Sequence, residues 1–395
     1  MTINNEHKKL NVPNLRFKEF EGEWEEKRVS EIADLFKGNG ISKEQLTDTG
    51  EPCILYGELY TKYKSEIISD IFSKTDIDTR KLVKSKANDV IIPCSGETAV
   101  DIATARCVPY DNILLGGDLN IIRLYDSDGS FMSYQLNGKR KYDIAKVAQG
   151  VSVVHLYGDH LKGVKTYNPC LEEQKKIAKL LSLLDERIAT QNKIIEDLKK
   201  LKSAIIEKLY SEIQGKEYSF GQLFDVVNER NKQMEYSNIL SASQEKGMMN
   251  RDDLNLDIQF ERSNINTYKI VRKGDYVIHL RSFQGGFAFS NKLGVCSPAY
   301  TILRPNNLLE YGYLSNYFTS QRFIKSLILV TYGIRDGRSI NVDEWLGMKT
   351  TIPSKEHQQY IVKAIGSFDR KIESEEAYAT HLSKQKQYLL RQMFI

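Results

Sequence analysis

The chain contains one of its own segments twice. Pro169-Cys-Leu-Glu-Glu-Gln174-Lys-Lys-Ile177 recurs 184 residues later as Pro353-Ser-Lys-Glu-His-Gln358-Gln-Tyr-Ile361. The match runs without a gap from 169–211 to 353–395. It contains ten identical pairs, among them Glu172/Glu356, Asp185/Asp369, Ile188/Ile372, Leu198/Leu382 and Lys202/Lys386. Upstream it continues as Gly163/Gly347 and Lys165/Lys349, then as Gly150/Gly333 after one residue of slippage. Asn88-Asp89-Val90-Ile91-Ile92 resembles Gly274-Asp275-Tyr276-Val277-Ile278, and Val29 to Ile32 resembles Phe220 to Leu223. Self-similarity at a fixed offset means that one structural unit is used twice. The order is therefore variable domain, helix, variable domain, helix. Its boundaries are an N-terminal segment 1–23, a domain 24–168, a helix 169–213, a domain 214–352 and a helix 353–395.

The repeated segments read as long helices. Pro169 and Pro353 stand at the entry, where a missing N–H costs nothing. Glu172, Glu173 and Glu356 fall in the first turn and favour the helix dipole. Apolar residues then follow in steps of four and three: Ile177, Leu181, Leu184, Ile188, Ile195, Leu198, Ile205 and Leu209. The second copy has Ile361, Ile365, Phe368, Ile372, Ala379, Leu382, Leu389 and Met393. This is a heptad seam, polar at Gln191/Glu375 and at Lys202/Lys386. Some forty residues, without Gly or Pro in the first copy and with Gly366 alone in the second, give a helix of about 60 Å, longer than one domain needs. If the two seams pair, the order of the chain makes them antiparallel, with one domain at each end. One register would set Lys202 against Glu375. The expected class is α+β: two mixed α/β domains with small sheets, joined by two helices in an antiparallel coiled coil with a pseudo-two-fold repeat.

The rest of the chain bounds the chemistry. With 395 residues, 41% apolar and 27% charged, the composition is globular. A polar N-terminus and short apolar runs predict a cytoplasmic chain with no membrane segment. Five cysteines without a CxxC pair make a zinc cluster or disulfide framework unexpected. No GxxxxGK[ST], HExxH or GxSxG occurs, and the six histidines are dispersed. Phe36-Lys-Gly-Asn-Gly40 has the FxGxG form of an S-adenosylmethionine loop. No (D/N)PP(Y/F) accompanies it, and the flanking strand is thin, so it reads as a Gly-rich turn. No catalytic residue and no metal site is expected.

The turns of the variable domains are rich in groups that suit DNA. The net charge of +4 permits nucleic-acid binding through local clusters. Arg can take guanine O6 and N7 together, and Asn or Gln can take adenine N6 and N7. Ser, Thr and Lys suit phosphates. In the first domain the candidates are Lys37, Asn39, Tyr60, Lys62, Lys64, Ser95 and Thr98. In the second they are Arg230, Asn231, Lys232, Ser243, Gln244, Lys246, Arg281, Ser282, Gln284, Tyr332, Arg335 and Arg338.

At this point the chain resembles the specificity (S) subunits of type I restriction–modification systems. The resemblance spans essentially the whole chain. Its carriers are the two Pro-x-x-x-(Glu/His)-Gln-x-x-Ile helix starts, the Gly150 and Gly333 loops, and Val12-Pro-Asn-Leu-Arg-Phe17-x-x-Phe20-x-Gly22-x-Trp24. His357 departs from the usual Glu before Gln358. The resemblance implies two target recognition domains, each reading one half of a bipartite double-stranded DNA site. It implies that the helices set the gap and dock two modification (M) subunits that methylate adenine N6, with two restriction (R) subunits joining them in bacterial defence. S-adenosylmethionine would belong to the M subunit, ATP and Mg to the R subunit, and no cofactor to this non-catalytic chain. Two other classes remain: a coiled-coil scaffold with protein-binding end domains, and a self-contained methyltransferase or nuclease built on Phe36 to Gly40.

Overall fold

The computed structural model describes residues 10–150, 152–243, 246–254, 262–279, 286–332 and 339–395. The chain divides into two compact units, Met1–Asn192 with Ala377–Ile395, and Lys193–Glu376. Each unit holds one variable domain, the near part of the helix that follows it and the far part of the other long helix.

In the first unit the repeated framework is β1 (Glu25–Arg28), β2 (Ala33–Lys37), β3 (Asp89–Pro93), β4 (Arg106–Val108), β5 (Leu119–Leu124) and β6 (Lys165–Asn168), leading into α1 (Leu171–Ser211). The second unit has β7 (Lys216–Ser219), β8 (Phe224–Val227), β9 (Tyr276–Ile278), β10 (Phe287–Phe289), β11 (Thr301–Pro305) and β12 (Lys349–Ile352), leading into α2 (Lys355–Gln392). The main sheets are both antiparallel and have the same order, β2-β5-β3-β4 and β8-β11-β9-β10. A two-stranded antiparallel ribbon, β1-β6 or β7-β12, closes each domain where its long helix begins. The apolar runs Val90-Ile91-Ile92 and Tyr276-Val277-Ile278 are buried on both faces, because alternate side chains enter two different cores: Val90 and Ile92 one and Ile91 another, Tyr276 and Ile278 one and Val277 another.

The shared sequence Asn88-Asp89 and Gly274-Asp275 has a physical reason. Asn88 and Gly274 sit at φ 82° and 95°, a left-handed turn that Gly and Asn tolerate best. The following aspartate is buried and accepts two kinds of donor. Asp89 takes the Lys86 N–H (2.8 Å) and the Arg123 fork from β5 (2.9 and 2.7 Å). Asp275 takes the Arg272 N–H (2.8 Å) and the Arg304 fork from β11 (both 2.9 Å). Each pair clamps the turn before the central strand to the neighbouring strand.

The repeated glutamine is equally specific. Gln174 accepts from the Asp128 N–H (2.9 Å) and donates to the Pro169 carbonyl (2.9 Å). Gln358 accepts from the Glu310 N–H (2.8 Å) and donates to the carbonyls of Leu308 (3.0 Å) and Pro353 (3.1 Å). Each buried amide thus satisfies a helix entry and pins it to a loop of its own domain.

The domains differ between these fixed points. The first inserts a second sheet of Leu46–Thr47, Ser73–Thr75, Glu51–Ile54 and Leu114–Leu115, with the last pair parallel. The second is filled by aromatic rings, with Phe220 stacked on Trp345 at 4.4 Å and Phe224, Tyr276, Phe287, Phe318 and Phe323 around them.

Within each unit the helix parts run antiparallel. In the first, Ile177 and Leu181 of α1 pack with Leu389 and Leu390 of α2 and with Met393 and Phe394 beyond its end; Trp24, Phe131 and Tyr134 complete the cluster. The N-terminal segment is held there too. Arg16 forks onto Glu173 (2.8 and 2.7 Å), and the Leu15 N–H donates to the Gln392 carbonyl (2.9 Å). In the second unit Ile206, Leu209 and Tyr210 share one core with Ile361 and Ile365. Burying one such side chain contributes about 1.5–3 kcal/mol. Of the remaining seam residues Leu184, Ile195, Ile372 and Leu382 are buried, while Ile188, Leu198 and Phe368 are half-buried.

The polar seam positions report the register, and it differs from the expected one. Lys202 pairs with Asp369 at 2.5 Å, while Glu375 pairs with Lys371 on its own helix. The reciprocal partners, Lys386 and Asp185, pair at 2.6 Å in the first unit. These are two of the residue pairs identical between the copies, so one lysine–aspartate contact occurs twice. Charge signs along the seam permitted several registers, and only packing selects among them. The two contacts are not equally buried. Lys386 also binds Glu66 at 2.5 Å, and Tyr134 donates to Asp185 at 2.7 Å. Arg106, bonded to the Tyr63 and Ala105 carbonyls, balances the two carboxylates; burial lowers its pKa, and Glu66 and Asp185 oppose that shift. The Lys386 and Asp185 side chains are 15% and 11% exposed, against 24% and 43% for Lys202 and Asp369. Removing one partner of a buried pair costs about 3–5 kcal/mol, and an exposed pair contributes about 1 kcal/mol at most. Lys386→Ala is therefore expected to lower the thermal unfolding midpoint of the full chain several times more than Lys202→Ala. Equal losses would show that the two contacts carry the same weight.

Candidate nucleic-acid interface

In the first domain the ends of β2, β3 and β5 bring three loops together. Gly38, just after β2, donates its N–H to the Leu119 carbonyl (2.8 Å), and the Asn39 N–H reaches the Leu115 carbonyl (3.2 Å). A Cβ on Gly38 would lie 2.1 Å from the Gly116 carbonyl oxygen, so only glycine lets these backbones approach. The FxGxG match is thus a turn seated on the loop before β5. Lys37 reaches Asp118 at 3.7 Å, with both side chains largely exposed. The Cys94 N–H donates to the Asp118 carbonyl (2.7 Å), and burial pushes the Cys94 thiol up to about 11. Cys94 therefore stays a neutral thiol near neutral pH.

Ser95 follows on the same edge. Its carbonyl accepts the Tyr60 hydroxyl (2.9 Å), and its hydroxyl stands 3.4 Å from His155 Nδ1. Ser95–Gly96 pairs with Val154–His155, and the exposed His155 ring stacks on the exposed Tyr157. Burial raises the pKa of Tyr60, which positions the Ser95 turn. Lys62 donates to Glu58 (2.7 Å) and Ser73 (2.9 Å), and Lys64 donates to the Tyr60 carbonyl (3.2 Å). Thr98 caps a short helix, bonding the N–H and the carboxylate of Asp101. The structure thus brings Lys37, Tyr60 and Ser95 to one edge, holds Lys62 in an internal ion pair and uses Thr98 as a helix cap.

In the second domain Arg230 and Lys232 are exposed beyond β8, the counterpart of β2. Asn231 between them is 1% exposed. Its amide donates to the Tyr236 carbonyl (2.7 Å) and accepts the Tyr236 N–H (3.1 Å), closing a turn. Ser243 accepts the Lys246 N–H (3.3 Å) in the turn between Leu240–Ser243 and Gly247–Asn250, and Lys246 is exposed. Thr331–Tyr332 pairs with Ser339–Ile340, which places the Tyr332 backbone in a two-stranded hairpin. Gln244, Arg281, Ser282, Gln284, Arg335 and Arg338 lie outside the described residues. Among the described residues no cluster of His, Cys, Asp and Glu could hold a metal ion, and no helix is long and apolar enough to cross a membrane.

Sequence reasoning missed His155 and Tyr157, because a dispersed histidine carries no signal until Val154–His155 pairs with Ser95. It also missed Lys81, although Arg80, Lys81, Lys84 and Lys86 form a visible run of cations.

Residues 21–200 match the family model described as type I restriction modification DNA specificity domain. Over 204 residues the chain is 28% identical to the type I restriction enzyme MjaVIII specificity subunit of Methanocaldococcus jannaschii; that match covers 49% of this chain and 45% of the relative, less than half the relative's length. It is 23% identical to the putative type I restriction enzyme MjaX specificity subunit of the same organism, over 97% of this chain and 96% of the other. The type I restriction–modification system S subunit from M. genitalium shares the fold, with a TM-score of 0.59 at 18% identity over 97% of this chain and 99% of that one. These matches define a class of DNA specificity proteins. Residues 21–200 are similar to its specificity domain, and the chain as a whole shares its fold with a type I S subunit.

Buried and exposed candidates should separate cleanly. Asn231→Ala leaves the Tyr236 backbone groups unpaired, which costs about 1–3 kcal/mol. It is expected to lower the thermal midpoint, and Lys232→Ala is not. The reverse order in a melting experiment would contradict the geometry.

Proposed function

We propose that this chain is the sequence-reading subunit of a type I restriction–modification complex. Each variable domain reads one half of a bipartite double-stranded DNA site. The observation that carries this reading is the reciprocal repeat. Two domains of one sheet order each present loops at the same strand ends, and both contain parts of the same two helices. A chain that reads one contiguous site has no need to build its framework twice.

In the first domain the DNA-facing groups are Lys37, Ser95 and the neighbouring His155 and Tyr157. In the second they are Arg230, Lys232 and Lys246, and Gln244, Arg281, Ser282, Gln284, Tyr332, Arg335 and Arg338 are proposed as DNA contacts from the sequence alone. Base-reading side chains must be free to turn a fork toward a base edge. Exposed Arg230 suits that role, and the lysines suit phosphates.

The helices set the gap and dock two modification subunits. Leu183, Ile194 and Leu201 leave apolar side chains exposed on α1, which supports docking of a partner along it. Adenine N6 methylation with S-adenosylmethionine belongs to those subunits. ATP-driven translocation and cleavage belong to two restriction subunits. This chain contributes recognition and no chemistry of its own.

Selection from a randomised duplex pool by the complex with modification subunits tests the spacer. The enriched sequence is expected to be two short blocks with a fixed gap. Inserting seven residues into both α1 and α2 adds about 10.5 Å. The gap is then expected to grow by up to about three base pairs, at ~3.4 Å per step. An unchanged gap would show that the helices join the domains without measuring distance. In the same selection Arg230→Ala is expected to relax one base position, at a cost of about 1–3 kcal/mol.

A further inference from the structure

Asn39 is expected from sequence to offer its amide to a base, but both ends of that amide are engaged. Its Nδ2 donates to the Lys81 carbonyl (2.8 Å), and its Oδ1 accepts the Val83 N–H (3.0 Å). Bidentate reading of adenine needs both ends free. The same two bonds staple the segment around Lys81 to the turn that begins at Lys37.

That segment is held from below as well. Leu82 packs with Ile41, Cys53 and Leu114, and its N–H donates to the Thr79 carbonyl (3.0 Å). The Val83 carbonyl accepts the Leu115 N–H (2.9 Å). The neighbouring cations are neutralised, Arg80 by Asp78 (2.7 Å) and Lys84 by Glu51 (2.9 Å). Lys81 is exposed and forms no ion pair among the described residues. The result is a fixed backbone carrying a free ammonium beside the Lys37 turn. A cation held in this way, flanked by paired ones, suits a phosphate. A point charge carries no base information, but it fixes the register of the protein on the duplex.

We propose that Lys81 contacts a DNA phosphate in the first half-site, and that Asn39 is a positioning residue that holds Lys81 there rather than a base reader. This rests on the reading of the first domain as a DNA-recognition domain. The test uses the full chain in complex with its modification subunits and two probes, a fixed-sequence duplex titrated across potassium chloride concentrations and a randomised duplex pool. Lys81→Ala is expected to reduce the slope of log affinity against log salt by about one and to leave the enriched sequence unchanged. Lys81→Arg keeps the charge and is expected to restore the slope. Asn39→Ala is expected to behave as Lys81→Ala does, and the double variant to be no worse than either single one. Loss of one base preference in Asn39→Ala with an unchanged salt slope would overturn the positioning role. An unchanged slope in Lys81→Ala would overturn the phosphate contact, and it decides the matter even if Asn39→Ala fails to fold, because the Lys81 side chain supports no other group. If the unaltered complex bound neither probe, the DNA-recognition reading itself would fall, and this inference with it.

Discussion

Each unit depends on the antiparallel packing of parts of the two long helices, and the same lysine–aspartate contact marks that packing in both. Lys386 meets Asp185 in one unit, and Lys202 meets Asp369 in the other. Each contact joins the early part of one long helix to the late part of the other. Each unit is therefore completed by a segment remote in sequence, and neither variable domain with its following helix contains everything that its unit contains. The apolar seam supplies most of the stabilisation on either side of these contacts. The charged pairs hold the register that this packing selects, since each lysine meets its aspartate only when the apolar residues interlock as they do.

This arrangement accounts for the pattern of identity between the copies. The residues that repeat are those that hold the framework: Gln174 and Gln358 at the helix entries, Asp89 and Asp275 beneath the central strands, and the lysine–aspartate pairs in the seam. The residues that differ lie in the insertions and loops, where the first domain adds a second sheet and the second fills its core with aromatic rings. A fixed frame with variable edges suits the proposed reading of two different DNA half-sites.

Much of the frame was legible in the sequence. The helices follow from the heptad seam and from proline at their entries, and the strands from short apolar runs before turns. The register was not, since Lys202 had acidic residues within reach at Asp369 and at Glu375, and their charge is the same. The candidate interface was less legible. Asn39 and Asn231 each stand in a turn, and an asparagine that closes a turn looks identical in sequence to one that reads a base. Only the bonds to Lys81 and Val83, and to Tyr236, separate the two roles. His155 had no local signal at all, because its place depends on pairing with Ser95, sixty residues earlier.

The most direct test of the account is a genome-wide map of N6-methyladenine in a methylation-free bacterial host that expresses this chain with the modification subunit proposed as its partner. The account predicts methylation at one motif made of two short blocks separated by a fixed, unread gap. Methylation at a single contiguous motif, or none from a soluble and intact complex, would contradict it.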